Sequence, residues 1–114
     1  MPDSLAKKVG KKLRSKRQTL GITESCTGGL LGSLLTEVPG SSDYFRGGVI
    51  SYHDNVKTRL LKVPASDLKK YGAVSQPVAI KMAKGVRRLL HCDHGLSITG
   101  IAGPTGGSKF KPVG

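Results

Sequence analysis

With 114 residues the chain is long enough for one domain that buries roughly two-thirds of its unfolded surface, and too short for a second domain with its own core. Sixteen glycines, no tryptophan, three tyrosines and two phenylalanines describe a small-residue, loop-rich α/β protein and argue against base-stacking platforms built on exposed aromatics. Lys and Arg number 19 against 7 acidic residues, a formal charge of +12 that suits an anionic ligand, but Lys7, Lys8, Lys11, Lys12, Arg14, Lys16 and Arg17 crowd one end as a solvated helix face would, so nucleic-acid binding is not the expected function.

In chain order, Leu5, Val9 and Leu13 recur every four residues between cations, with Asp3 or Ser4 as cap, which predicts an amphipathic helix over about 4–17 with a narrow apolar stripe. Thr19-Leu20-Gly21-Ile22-Thr23 reads as a strand and runs into Glu24-Ser25-Cys26-Thr27-Gly28-Gly29. A helix over about 28–37 follows, carrying Leu30, Leu31, Leu34 and Leu35, and stops at Pro39-Gly40. Gly47 to Tyr52 is a second strand, and Asn55 to Leu61 a short helix with Lys57 and Arg59 on different faces. Pro64 opens another short helix with Ser66 as its cap, ending at Tyr71-Gly72. The clearest helix spans about 76–91, with Val78, Ala79, Met82, Ala83, Val86, Leu89 and Leu90 along one face. Gly95 to Thr99 is a third strand, and it feeds a glycine-rich loop, Gly100 to Gly107, with no room for a packed element.

Strands alternating with helices predict an α/β fold, a three-layer α/β/α arrangement around a mixed, largely parallel sheet covered on both faces. Ligands bind such sheets beyond the carboxyl ends of the strands. If the strands point the same way, Ser25, Tyr52 and the loop after Thr99 gather at one edge. The turn at Ser25 joins a strand to a helix, where amide groups attract an anion or a developing oxyanion and glycines admit close approach of a ligand; an ordinary N-cap and tight turn have the same composition.

Ser25 is the candidate nucleophile. Lys57 is the candidate base, because no histidine is suitably placed and serine–lysine pairs are a variant of the serine–histidine logic; it must act as the neutral amine, and an exposed helix cation is the plainer reading of the same residue. Tyr52 is placed to relay the proton or hold the substrate. Cys26 is a rival nucleophile that ranks second, since adjacent residues of an extended turn point apart and only one can face the site. The run His91-Cys92-Asp93-His94 matches no standard zinc spacing, and the loop after Thr99 matches neither the P-loop nor the dinucleotide fingerprint.

Two cysteines make no disulfide framework, no export signal is visible and no run approaches a membrane span, so a soluble protein of the reducing cytoplasm is expected.

Taken together, Thr23-Glu24-Ser25-Cys26-Thr27-Gly28-Gly29, Pro39-Gly40-Ser41-Ser42, Tyr44-Phe45, Gly72-Ala73-Val74-Ser75, Thr99-Gly100-Ile101-Ala102-Gly103-Pro104 and Lys111-Pro112-Val113-Gly114 resemble the CinA C-terminal domain family, which comprises competence/damage-inducible proteins and nicotinamide mononucleotide deamidases. The resemblance implies hydrolysis of the carboxamide of nicotinamide mononucleotide to nicotinate mononucleotide and ammonia, with no metal and no organic cofactor. It implies Ser25 as nucleophile, Tyr52 and Lys57 as the tyrosine and lysine after the second strand, and substrate contacts from Thr27, Gly28 and Gly29 and from the loop carrying Thr99, Gly100, Gly103 and Gly106. Family members often read Tyr-Ser-Asn where this chain has Tyr52-His53-Asp54. The family domain also continues past Pro-Val-Gly with a further strand, more sheet and a closing basic helix, so the resemblance implies a single truncated domain over 1–114. The expected partners are a small-molecule nucleotide and, through an exposed sheet edge, further copies of the chain, with no membrane. A non-catalytic module that binds a nucleotide, or nucleic acid through the basic N-terminal helix, is the alternative function.

Overall fold

The fold is that of a computed structural model, described over residues 4–114. Its elements are α1 (Leu5–Lys16), β1 (Leu20–Glu24), α2 (Leu30–Thr36), a 3-10 turn (Ser41–Asp43), β2 (Phe45–Ile50), α3 (Asp54–Arg59), α4 (Ala65–Tyr71), α5 (Gln76–Leu89) and β3 (His94–Ile98). The strands form one sheet in the order β2-β1-β3. Both pairs are parallel, with Glu24 opposite Ile50 on one side and Ile98 on the other, so the expected mixed sheet is purely parallel among the described residues.

Side-chain alternation along β1 divides the core in two. Ile22 packs with Leu13, Leu20, Leu35 and Tyr44 under α1 and α2. On the opposite face Leu61, Val63, Val78, Met82 and Val86 form a second cluster, backed by Val49 and Leu90. Helices therefore cover both faces, as a parallel sheet requires. The close seating of α5 depends on Gly85, where a Cβ would overlap the backbone carbonyl of Leu61.

Several local expectations change. The α1 stripe buries only Leu13; Leu5 and Val9 are exposed, and the contact is made instead by Gly10, whose missing side chain gives the Tyr44 ring room against the helix. Ser4 is the α1 cap, its hydroxyl accepting from the Lys7 amide, while Asp3 lies outside the described residues. Pro64, not Ser66, holds the cap position of α4, without a side-chain bond. β2 begins at Phe45 and not at Gly47 because pairing with Leu20 starts there, with an irregularity after it that leaves Arg46 unpaired. α5 stops at Leu89, which is exposed, and His91 turns the chain with φ 53°. The segment after Thr99 forms neither helix nor strand.

Among the described residues no helix is long and apolar enough to cross a membrane.

Candidate active site

β1 is the central strand, and the chain leaves its carboxyl end into α2 on one face, while the helix leading into β3, α5, packs on the other. Such divergence opens a crevice at the strand ends. Ser25 stands at that point. Its amide donates to the Ile98 carbonyl at 2.9 Å, and the Ser51 amide donates to the Glu24 carbonyl at 2.8 Å, so both flanking strands are tied to the end of β1.

Alternation sends Thr23 and Ser25 to the α3–α5 face and Glu24 to the α2 face. On the first face the Thr23 and Ser51 hydroxyls are 2.7 Å apart, and both residues are fully buried. Lys57 from α3 lies beside them, with only 1% of its surface exposed, which overturns the reading of it as a solvated helix cation. Its Nζ donates to the Ser51 carbonyl at 2.6 Å, the Tyr52 carbonyl at 3.2 Å and Ser25 Oγ at 3.3 Å, and the Asp54 carboxylate is 3.5 Å away. Among the described residues the polar groups around its Nζ are all oxygens.

Tyr52 meets this centre only through its backbone. Its side chain is 71% exposed, and its hydroxyl has no hydrogen-bond partner among the described residues. The chain turns outward after Ser51, because the His53 ring takes the cap position of α3 and accepts from the Asn55 amide at 3.1 Å.

On the α2 face Glu24, 2% exposed, places its carboxylate at the start of α2. It accepts from the Thr27 hydroxyl at 2.7 Å, the Leu31 amide at 2.8 Å and the Gly32 amide at 2.9 Å. Burial alone would raise the carboxyl's pKa, but these donors, together with the Gly29 amide, outweigh it and hold Glu24 below its ordinary value of 4.5. The expected anion cradle at the head of α2 is thus occupied by the chain's own carboxylate. The Gly28 amide donates to the Ser25 carbonyl, and the Thr27 hydroxyl is spent on Glu24. The amides of Cys26 and Thr27 donate to no described group. Gly28 and Gly29 have φ of 62° and 120°, which keeps this turn tight at positions where a Cβ is strained.

The loop after β3 starts at the same place. Gly100 adjoins Cys26, since a Cβ there would meet its Sγ at 3.4 Å, so Cys26 faces the loop while Ser25 faces Lys57. The Thr99 hydroxyl is turned to the Ala73 carbonyl at 3.0 Å. Gly103 and Gly106 lie against Val113 and Ile101.

The His91 to His94 run disperses: Asp93 accepts from the Thr19 amide and hydroxyl, which hold its carboxyl below the usual range, His94 bonds Gln18, and the Cys92 thiol donates to the Leu90 carbonyl. Among the described residues no three such side chains gather as a metal site. On basic α1, Arg14 donates to the Gly40 carbonyl and pairs with Asp43, so one cation of that helix anchors the 40–43 turn.

The arrangement is that of an α/β protein with a serine–lysine pair at the carboxyl end of its central strand. Residues 2–114 match the profile of the CinA C-terminal domain, and the chain belongs to that family. A CinA-like protein of Nostoc sp. is 62% identical over 112 residues, which cover 98% of this chain and 26% of that protein. One from Acaryochloris marina is 59% identical, with 98% and 27% covered. The chain spans about a quarter of the length of these curated relatives. Among solved structures, the competence damage-inducible protein A of Klebsiella pneumoniae has a TM-score of 0.92 at 32% identity, covering 96% of this chain and 68% of that one. The competence/damage inducible protein CihA of Agrobacterium tumefaciens gives 0.86 at 34%, with 99% and 71% covered.

Proposed function

We propose that the chain carries an amidohydrolase site that converts nicotinamide mononucleotide to nicotinate mononucleotide and ammonia, with Ser25 as nucleophile and Lys57 as base. The observation that carries this reading is the Lys57 Nζ to Ser25 Oγ contact of 3.3 Å inside a buried pocket of oxygens. A primary carboxamide is the bond implied by the family resemblance, and a serine, an amine and free backbone amides are the groups its cleavage needs.

In this reading the neutral Lys57 amine gives its two N–H groups to the Ser51 and Tyr52 carbonyls and turns its lone pair to Ser25. The Ser25 hydroxyl passes its proton to that lone pair as Oγ attacks the carboxamide carbon. The oxyanion is received by the Cys26 and Thr27 amides, the first being the amide after the nucleophile, a usual place for such a donor. The resulting ammonium returns the proton to the departing nitrogen, the C–N bond breaks, and ammonia leaves an ester on Ser25. Water, deprotonated by the same amine, then attacks the ester carbon; the ester C–O bond breaks, nicotinate mononucleotide leaves, and the ammonium returns the proton to Ser25 Oγ. Tyr52 contributes its carbonyl to Lys57 and leaves its ring for the bound nucleotide, with Gly100 and the loop beyond Thr99 closing the other side.

Release of ammonia from nicotinamide mononucleotide by the chain and by Ser25→Ala and Lys57→Met variants tests this. Loss in both variants is expected; turnover kept by Ser25→Ala overturns the nucleophile assignment.

A further inference from the structure

We infer that Glu24 is the positioning residue of the site: its carboxylate fastens the turn from Ser25 to Gly29 to the head of α2, and so keeps the Cys26 and Thr27 amides unpaired beside the Ser25 hydroxyl. The inference deepens the proposed amidohydrolase reading and rests on it for its kinetic consequence.

Donors from two segments converge on one carboxylate. The Thr27 hydroxyl comes from the turn, and the Leu31 and Gly32 amides come from the first turn of α2, seven and eight residues along the chain. Gly29 caps α2 without a side-chain bond; the Leu30 amide reaches the Thr27 carbonyl, but without Glu24 the Leu31 and Gly32 amides would lack a protein partner. Glu24 itself cannot swing away, because its backbone is held between β2 and β3 through Ile50 and Ile98. The turn is therefore clamped at both ends, by the strand ladder at Glu24 and by the carboxylate at Thr27 and α2. Its interior holds one internal bond, from the Gly28 amide to the Ser25 carbonyl, and leaves the two preceding amides unspent. A carboxylate at this spot also repels a substrate phosphate from the head of α2, so the helix end orients the turn and does not bind the nucleotide.

Glu24→Gln is the direct test, since it keeps the size of the side chain and replaces one acceptor oxygen by a donor that faces N–H groups. Loss of one well-aimed oxyanion donor costs roughly a hundredfold in turnover, and a misplaced pair is expected to lower kcat by about tenfold or more with KM for nicotinamide mononucleotide held within about twofold. Thr27→Val removes a single bond to the carboxylate and is expected to lower kcat less, again at constant KM; it stands in if the Gln variant does not fold. Unchanged kcat in the folded variant overturns the inference. Amide resonances recorded without substrate separate it from the reaction itself. Movement of the Cys26 and Thr27 signals along with those of Leu31 and Gly32 upholds the clamp even if the wild-type chain releases no ammonia, which would sink the reaction alone. Movement confined to Leu31 and Gly32 reduces Glu24 to a helix cap and overturns the inference.

Discussion

Lys57 Nζ sits 3.3 Å from Ser25 Oγ although the two residues are 32 apart in sequence, and two backbone carbonyls from the end of β2 hold the amine in place. Replacing Lys57 by Met removes the proton acceptor and leaves the Ser51 carbonyl without its 2.6 Å donor. A general base contributes about 10²–10⁴ in rate, so turnover is expected to fall by at least about a hundredfold while circular dichroism still shows the fold. Steady-state ammonia release measures it.

Tyr52→Phe separates the carbonyl of this residue from its hydroxyl. The carbonyl contact to Lys57 survives the change, and the hydroxyl is exposed. A kcat within about threefold of wild type is expected, with any larger effect confined to KM, as for a group that contacts the ground state and transition state alike. A collapse of kcat at constant KM would restore the hydroxyl to the proton path.

The stability of the fold should depend on pH through Glu24. Its folded pKa is depressed below 4.5 by the Thr27 hydroxyl and the α2 amides, which outweigh burial. A depressed carboxyl contributes stability above its unfolded pKa and loses it as pH falls through the folded value. The stability gap between wild type and Glu24→Gln is therefore expected to be full near neutrality and to shrink below pH 4.5, as read by urea unfolding. A gap that widens in acid would contradict the assignment of the carboxylate's donors.

Two core changes should have opposite signs. Gly85→Ala puts a methyl onto the Leu61 backbone carbonyl and is expected to cost about 1–3 kcal/mol, with a lower Tm. Tyr44→Phe removes a buried hydroxyl that has no hydrogen-bond partner among the described residues, and is expected to be neutral or stabilising by up to about 1 kcal/mol.

The order of elements was legible in the sequence because each strand is a short β-leaning run and each helix carries its own apolar spacing. The place of Ser25 at the end of a strand was legible for the same reason, since a β-leaning run leads into Gly28-Gly29 and then leucines. The burial of Lys57 was not. Its neighbours Asn55, Thr58 and Arg59 look like a solvated helix, and what hides it is the close pass of Ser51 and Thr23, which no local pattern records. Glu24 escaped for a related reason: its donors lie seven and eight residues downstream, where only the turn's path brings them back. A helix beginning without Ser, Thr, Asp or Asn at its cap, one turn after a buried-strand Glu, was the available signal. The exposure of the Tyr52 ring was not legible, because alternation alone cannot foresee that the strand ends at Ile50 and the chain turns outward.

The central claim is that Ser25, and not its neighbour Cys26, attacks a carboxamide carbon. Rapid acid quench of the chain with nicotinamide mononucleotide, followed by peptide mass mapping, tests it most directly. The expected result is an acyl adduct on Ser25 that forms before ammonia release reaches steady state and is absent from the Lys57→Met variant; turnover with the adduct on Cys26, or with Ser25 unmodified and dispensable, would contradict it.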